Sequence, residues 1–382
     1  MHVLRNGTIV DADGTLEADV AIEDGEIVAV GDVGRGDSET DVSGQFVAPG
    51  LIDSHVHLMM DGRADVATAQ DESEFDHAYI AAQNLRKTVE SGVTTVRDLG
   101  AQGTLALDAG MAVEEGRLVG PRVLACGQNV IMTGGHGHWF GREADGPDEV
   151  RKAAREQLKR GADVVKCMAT GGVLTEGAQT GAPELTYEEL SALVDAAGAK
   201  GVPTAAHAHG KQGILNAVDA GITSIEHGTF MDREAANAMA AEDTYWVPTA
   251  SALRNIVDNP DAGIPRDAME KATEAADEFE SSFDHALDAG VDIAMGTDAG
   301  TPFNYFQNIP DEMAYMVEFG MTPEEALEAA TLTAADLLGL DDVGMIEQDY
   351  RADLVVLDEN PAEDVDAWQS PAAVFVDGDQ VV

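Results

Sequence analysis

The sequence predicts an α/β chain, a (β/α)8 TIM barrel carrying a small β domain assembled from both chain ends. Two observations lead there. The first and last stretches alternate apolar and polar residues and break at Asp-Gly or Gly-Asp, the mark of β-hairpins. Between them, apolar strand patterns alternate with amphipathic helix patterns, and eight strands can be picked out. A chain of 382 residues suits a barrel of about 250 residues plus an appendage. Residues 47–343 are expected to form the barrel, with 1–46 and 344–382 forming the second domain.

At the start, Val3–Val10, Ala18–Ile22 and Glu26–Val30 read as antiparallel strands, with Asp24-Gly25 turning the last pair. At the far end Ala352–Leu357 reads as a strand and Ala373–Val382 as a hairpin. Neither end has enough residues for a core, so the two are expected to pack together. The barrel strands are expected at Phe46–His57, Thr94–Gly100, Arg122–Gly127, Asp163–Thr170, Val202–Gly210, Ser224–Thr229, Tyr245–Ala250 and Asp292–Gly300. Helices are expected over Asp148–Arg160, with Val150, Ala153, Ala154 and Leu158 on one face, and over Tyr187–Lys200 after Thr186. A last helix opens at Pro323 behind Thr322, with proline at its first position.

Composition narrows the function. Lys and Arg number 22 against 71 Asp and Glu, a formal net charge of −49. The acids are spread along the chain rather than gathered in a tail, which implies a uniformly acidic surface of the kind halophiles use for solubility. No basic patch is visible, so nucleic acid is excluded as a partner. No apolar run approaches the roughly 20 residues of a membrane span, and the N-terminus lacks a secretory signal, so a cytoplasmic protein is expected. Cys126 and Cys167 lie in apolar runs and read as small core residues.

Polar residues gather at the expected C-terminal ends of the strands, where barrel active sites sit. His55-Val56-His57 ends the first strand, and residues i and i+2 face the same side. Lys166 lies in the apolar run Asp163–Met168, where a charged amine is costly unless paired or neutralised. It is either half of a salt bridge or a neutral amine that takes up carbon dioxide to become a carbamate ligand. His207, His227 and Asp298 end the fifth, sixth and eighth strands. Imidazoles, a carboxylate and a carbamate together form a nitrogen and oxygen ligand set for divalent metals.

At these positions the chain resembles the amidohydrolase superfamily over nearly its whole length, most of all the prolidase-like branch of dipeptidases acting on Xaa-Pro or Xaa-Arg/Lys and enzymes acting on N-acyl amino acids. Thr94–Gly100, Gly134-Gly135-His136-Gly137-His138 and Met168–Val173 carry the likeness to that branch. The resemblance implies that the two ends form a composite β-sandwich. It implies a binuclear centre, with His55, His57 and Asp298 on one metal, His207 and His227 on the other, and carboxylated Lys166 with a hydroxide between them. Zinc is the default expectation, though other divalent ions suit the same ligands. The implied reaction is cleavage of a C–N amide bond in a small-molecule dipeptide or N-acyl amino acid by metal-activated hydroxide, with Asp298 carrying the proton to the leaving amine.

His138 and His209 are the residues expected to polarise the carbonyl or bind a substrate carboxylate. His138 reads equally as a mobile glycine-flanked loop residue. Arg97 reads either as a carboxylate-binding residue or as a structural partner of Asp98. The resemblance also implies a homo-oligomer. Two rival functions are a cyclic amidase opening a hydantoin- or imidazolone-like ring, and a non-catalytic barrel scaffold. The complete ligand set argues against the scaffold.

Overall fold

Asp24 and Gly25 both adopt positive φ, 51° and 87°, the conformation a two-residue type I′ hairpin demands, and so join strands Gly14–Glu23 and Glu26–Gly31. This turn belongs to an eight-stranded sheet in the computed structural model, which describes residues 1–382. The sheet runs from Asp379–Gln380 through Ala373–Val376, Leu354–Leu357, Phe46–Pro49 and His2–Asp11 to Gly14–Glu23 and Glu26–Gly31, with Ser38–Asp41 also paired to His2–Asp11. Both chain ends therefore share one sheet. Their seam is the antiparallel pairing of Leu354–Leu357 with Phe46–Pro49. Leu4, Ile9, Val20 and Ile27 from one end bury against Leu354, Val356 and Phe375 from the other. Neither end could bury these faces alone, which is the packing expected from the sequence.

The interior of the chain forms two parallel sheets. One orders Leu51–Val56, Val93–Asp98 and Arg122–Ala125. The other orders Arg142–Glu143, Val130–Ile131, Val165–Met168, Thr204–Gly210, Ser224–Phe230 and Tyr245–Val247. Helices intervene between most of these strands, so the fold is mixed α/β with parallel strands joined by helical crossovers. The short strands at Val130 and Arg142 had no sequence signal, since two residues show no period.

Two expected strands differ from the observed ones. Phe46–His57 is two strands, broken at Gly50, because Phe46–Pro49 joins the terminal sheet and Leu51–Val56 the interior one. A side chain at Gly50 would collide with Thr94, so only glycine lets the chain pass there. Asp292–Gly300 is not a continuous strand. It bridges at Ile293 to Trp246 and at Ala299 to Val56, and Asp298 between them sits at φ 60°. Its backbone still ties the two parallel sheets together: Ala294 donates to Trp246 O at 2.9 Å, and Ser54 to Met295 O at 2.9 Å. On the opposite side Asp163 donates to Ala125 O at 2.9 Å.

The helices start where the sequence says. Thr186 and Glu189 form a capping box ahead of Tyr187–Gly198, and Thr322 and Glu325 form another ahead of Pro323–Ala329. Pro147–Arg160 carries acids in its first turn, bases in its last, and ends at Gly161 with φ 95°. It buries Val150, Ala153 and Ala154 as expected. Cys126 and Cys167 are free, buried thiols, and burial pushes the Cys167 thiol up to about 12. No helix is long and apolar enough to cross a membrane.

Candidate metal and catalytic site

One cavity at the ends of the parallel strands is lined by His55, His57, Lys166, His207, His227 and Asp298 together. These are the six residues expected from the sequence to bind metal, and they come from five separate segments. Strand register explains part of the meeting. Met168 pairs with His207, and Ala208 with His227, so neighbouring parallel strands deliver their imidazoles at one level. Backbone strain explains the rest. In a regular strand Glu226 and His227 would point to opposite faces. His227 instead adopts φ 69°, and both side chains turn inward. Asp298 at φ 60° and Thr249 at φ 57° are two more left-handed residues at the site. Such conformations in residues other than glycine are costly and concentrate where function holds them.

His55, His57 and Asp298 form the first cluster. His55 Nδ1 donates to Glu226 Oε2 at 2.8 Å, and His57 Nδ1 donates to Gly100 O at 2.8 Å. Each ring thereby turns a bare Nε2 lone pair towards Asp298 Oδ1, at 3.5 Å from His55 and 3.2 Å from His57. Three electron-rich atoms facing one another repel unless a positive charge lies among them. His55 Nε2 and Asp298 Oδ1 have no hydrogen-bond partner although both are buried. Burial disfavours charge on His57, but Asp298 beside it outweighs that and raises its pKa. Burial alone would raise the Asp298 carboxyl, yet His55, His57 and Lys166 hold it below its usual range.

His207, His209 and His227 form the second cluster. His227 Nδ1 lies 2.7 Å from Thr249 Oγ1, and His209 Nδ1 lies 2.7 Å from Thr229 Oγ1. His207 Nε2 is buried with no partner. Burial, then the other imidazoles around it, pushes His207 well below its ordinary range, so the ring is a neutral donor. The ligand atoms of His207, His209 and His227 lie within 4.8 Å of one another, as do those of His55, His227 and Asp298. Both groups could hold a metal ion, and the orphaned lone pairs fit one.

Lys166 lines the cavity beside His55 and His57 and is 1% exposed. Burial lowers its pKa, and it forms no ion pair. The salt-bridge alternative therefore falls away, because the nearby acid, Glu226, is already engaged. Glu226 Oε1 accepts from Arg97 Nη2 at 3.0 Å and from Ser224 Oγ at 2.6 Å, while Oε2 holds His55. Arg97 and His55 outweigh burial and keep this carboxyl at about 2. Arg97 thus binds a carboxylate of the protein itself, and its Nε donates to Ser54 O at 2.6 Å. Asp98 does not pair with it. Asp98 accepts from Leu58 N and Gly100 N, fixing the loops behind His57.

His209 joins the second cluster, its ring stacked on His227 with centroids 4.9 Å apart. His138 is exposed and lies outside the cavity. His136 occupies the place expected for it, 4.4 Å from the His207 ring and anchored at Nδ1 by Thr175 Oγ1 at 2.9 Å. Gly172 lies so close under that ring that a side chain there would strike it. The Gly134–His138 motif lies on a loop that lines the cavity, but through His136 rather than His138, and two histidines flanking one glycine cannot be told apart without the fold. Glu226, Thr229 and Thr249 were missed. Only the acid inside the strand Ser224–Phe230 offered a signal.

Residues 46–381 match the model of a family described as the amidohydrolase family. Ochratoxinase of Aspergillus niger is 31% identical over 360 residues, spanning 85% of this chain and 73% of that protein. A solved Xaa-Pro dipeptidase with methionine bound in its active site is 34% identical, with a TM-score of 0.93 and 99% of each chain covered. A solved prolidase complexed with N-methylphosphonate-L-proline is 30% identical, with a TM-score of 0.92 over 99% of this chain and 98% of that one.

Proposed function

The chain belongs to the amidohydrolase family, with prolidase and Xaa-Pro dipeptidase structures among its neighbours, and from that premise we propose that this hydrolase cleaves the C–N amide bond of a dipeptide or N-acyl amino acid at a binuclear metal centre. The observation that carries the reading is one cavity lined by His55, His57, Lys166, His207, His227 and Asp298, in which His55 Nε2, His207 Nε2 and Asp298 Oδ1 are buried without a partner and the sets His55, His227, Asp298 and His207, His209, His227 could each hold an ion. The two parallel sheets and the segment 292–299 are read as arcs of one (β/α)8 barrel running from Leu51 to 343 rather than from 47, because Phe46–Pro49 pairs with the chain ends, and the two ends as its composite β-sandwich.

His55, His57 and Asp298 would hold one divalent ion, His207 and His227 the other. Lys166 would bridge them as a carbamate. Its neutral amine would add to carbon dioxide, forming a C–N bond as one C=O π bond opens and losing one proton, so that a neutral amine becomes an anionic oxygen ligand. Zinc suits such mixed nitrogen and oxygen ligands. Ions held there lower the pKa of a water and polarise a substrate carbonyl. Asp298 takes the proton of the attacking water and delivers it to the leaving amine. His136 and His209 flank the imidazole cluster and are placed to hydrogen-bond the substrate. Glu226 and Arg97 act at a distance, by fixing the His55 tautomer. An acidic surface adapted to salt, and assembly with further copies, belong to the same proposal.

The test is hydrolysis of a dipeptide and N-acyl amino acid panel by protein kept in high salt and reconstituted with zinc. Release of the free amino acid, abolished by a chelator and restored by the metal, is expected. Opening of hydantoin or imidazolone rings with no action on any linear amide would overturn the reading in favour of a cyclic amidase.

A further inference from the structure

The cavity has two lobes that meet at the imidazoles. The lobe beside His55 and His57 has a cavity volume of about 40 Å3, and its apolar walls are Met60, Val66, Trp139, Phe140, Met168 and Leu174. The lobe beside His209 has a cavity volume of about 40 Å3, and its apolar walls are Val173, Leu174, Ala252, Leu253 and Ile256. His136, His207, His227 and Asp298 belong to both. The shared imidazoles and Asp298 therefore sit between an aromatic and sulfur-rich lobe and a branched aliphatic one.

Charge is missing from both walls. Apart from Lys166 and Asp298, no Lys, Arg, Asp or Glu lines either lobe. The cations that come near are already engaged. Arg97 pairs with Glu226, Arg63 with Asp61 and Glu72, and Lys271 with Asp267 while donating to Thr175 O. Arg254 is tied to Glu318 outside, although its neighbours Leu253 and Ile256 face the cavity. A charged substituent entering either lobe would lose water and meet no counter-charge, which costs several kcal/mol.

We propose that the substrate's side chains on both sides of the scissile amide are uncharged and apolar, and that Trp139 and Phe140 on one flank and Leu253 and Ile256 on the other select them. The inference rests on the amidohydrolase reading and narrows it. Of the branch's substrates it keeps proline-like, aliphatic and aromatic residues and removes those ending in Lys or Arg. Flat or bulky groups fit against the Trp139 and Phe140 rings, whose centroids lie 4.4 Å apart. Compact branched groups fit the Leu253 and Ile256 lobe.

The experiment compares kcat/KM for N-acyl amino acids on the zinc-reconstituted protein. One series fixes the acyl group as benzoyl and varies the residue among Leu, Met, Phe, Lys and Glu. A second fixes Leu and exchanges benzoyl for succinyl, which adds a carboxylate. The α-carboxylate is common to every compound and cancels in the ratios. The charged members are expected to fall by on the order of a hundredfold or more in both series. I256D, placing a carboxylate in the aliphatic lobe, is expected to raise the Lys-to-Leu ratio, or with Leu fixed the ratio of an aminohexanoyl to a hexanoyl group, at least about tenfold. Lys, Glu or succinyl substrates within about tenfold of their apolar counterparts in the unmodified protein would overturn this inference and leave the amidohydrolase reading standing. Turnover of none of them by protein with its metal bound would overturn the reading itself, and the inference with it.

Discussion

The two halves of the ligand set are braced differently. His55 leans on a buried carboxylate, Glu226, itself neutralised by Arg97, and His57 on the Gly100 carbonyl. His209 and His227 lean on the hydroxyls of Thr229 and Thr249. A carboxylate or carbonyl behind an imidazole dictates that Nδ1 carries the hydrogen and Nε2 the lone pair. A hydroxyl can donate or accept, and leaves the ring free to choose. Electrostatics divide the pair less cleanly, because burial and then Lys166 lower His55 to about 4 as well. Asp298 raises His57, whereas burial and neighbouring imidazoles push His207 and His227 well down. The first cluster is built around a negative charge and is suited to moving a proton. The second is a set of neutral donors suited to holding an ion.

Removing the negative charge breaks this division most directly. D298N is expected to lower kcat by about 10²–10⁴-fold while the protein keeps most of its metal. Steady-state kinetics beside elemental analysis check it, and activity near that of the unmodified protein would remove Asp298 from the proton path. E226Q is expected next. It frees the His55 tautomer and should weaken metal binding about 10–100-fold. It also leaves Arg97 buried without a full counter-charge, which costs up to about 3–5 kcal/mol by urea unfolding. The double variant R97M/E226Q should recover part of that stability but not the metal affinity, and recovery of both would mean the pair serves packing alone.

The brace behind the second cluster predicts a pH effect. Glu312 is fully buried and accepts from Ala250 N, Ser251 N and Ser251 Oγ, pinning the turn that carries Thr249. Burial pushes its carboxyl from 4.5 to about 7. The folded state then binds more protons than the unfolded one between those values. The contribution of Glu312 is fully present below about 4.5 and is lost as pH rises through about 7. E312Q should flatten stability across this window by on the order of 3 kcal/mol, and an unchanged pH profile in chemical denaturation would contradict the assignment. Smallest of all, T249V and T229V should cost only severalfold in metal affinity, because a hydroxyl brace fixes the ring less firmly. H138A should leave kcat/KM unchanged while H136A lowers it, and the reverse would return the role to His138.

The sequence made the six cavity residues legible because five of them fall at the ends of apolar runs and Lys166 inside one, a pattern that survives without the fold. The hairpin at Asp24-Gly25 and the caps at Thr186 and Thr322 were legible for the same local reason. What was not legible depends on distant segments or on strained backbone. Glu226 reaches His55 across 171 positions. The break at Gly50 follows from Thr94 packing against it, and Asp298 leaves its strand through a left-handed φ that no propensity anticipates. His136 and His138 differ only in which side of a glycine turn they fall.

The binuclear centre is the claim on which the rest depends, and metal content per chain tests it most directly. Elemental analysis of protein reconstituted with zinc in high salt and bicarbonate should give about two ions per chain. About one ion per chain, unchanged by bicarbonate, would contradict the bridging role of Lys166 and the pairing of the two clusters.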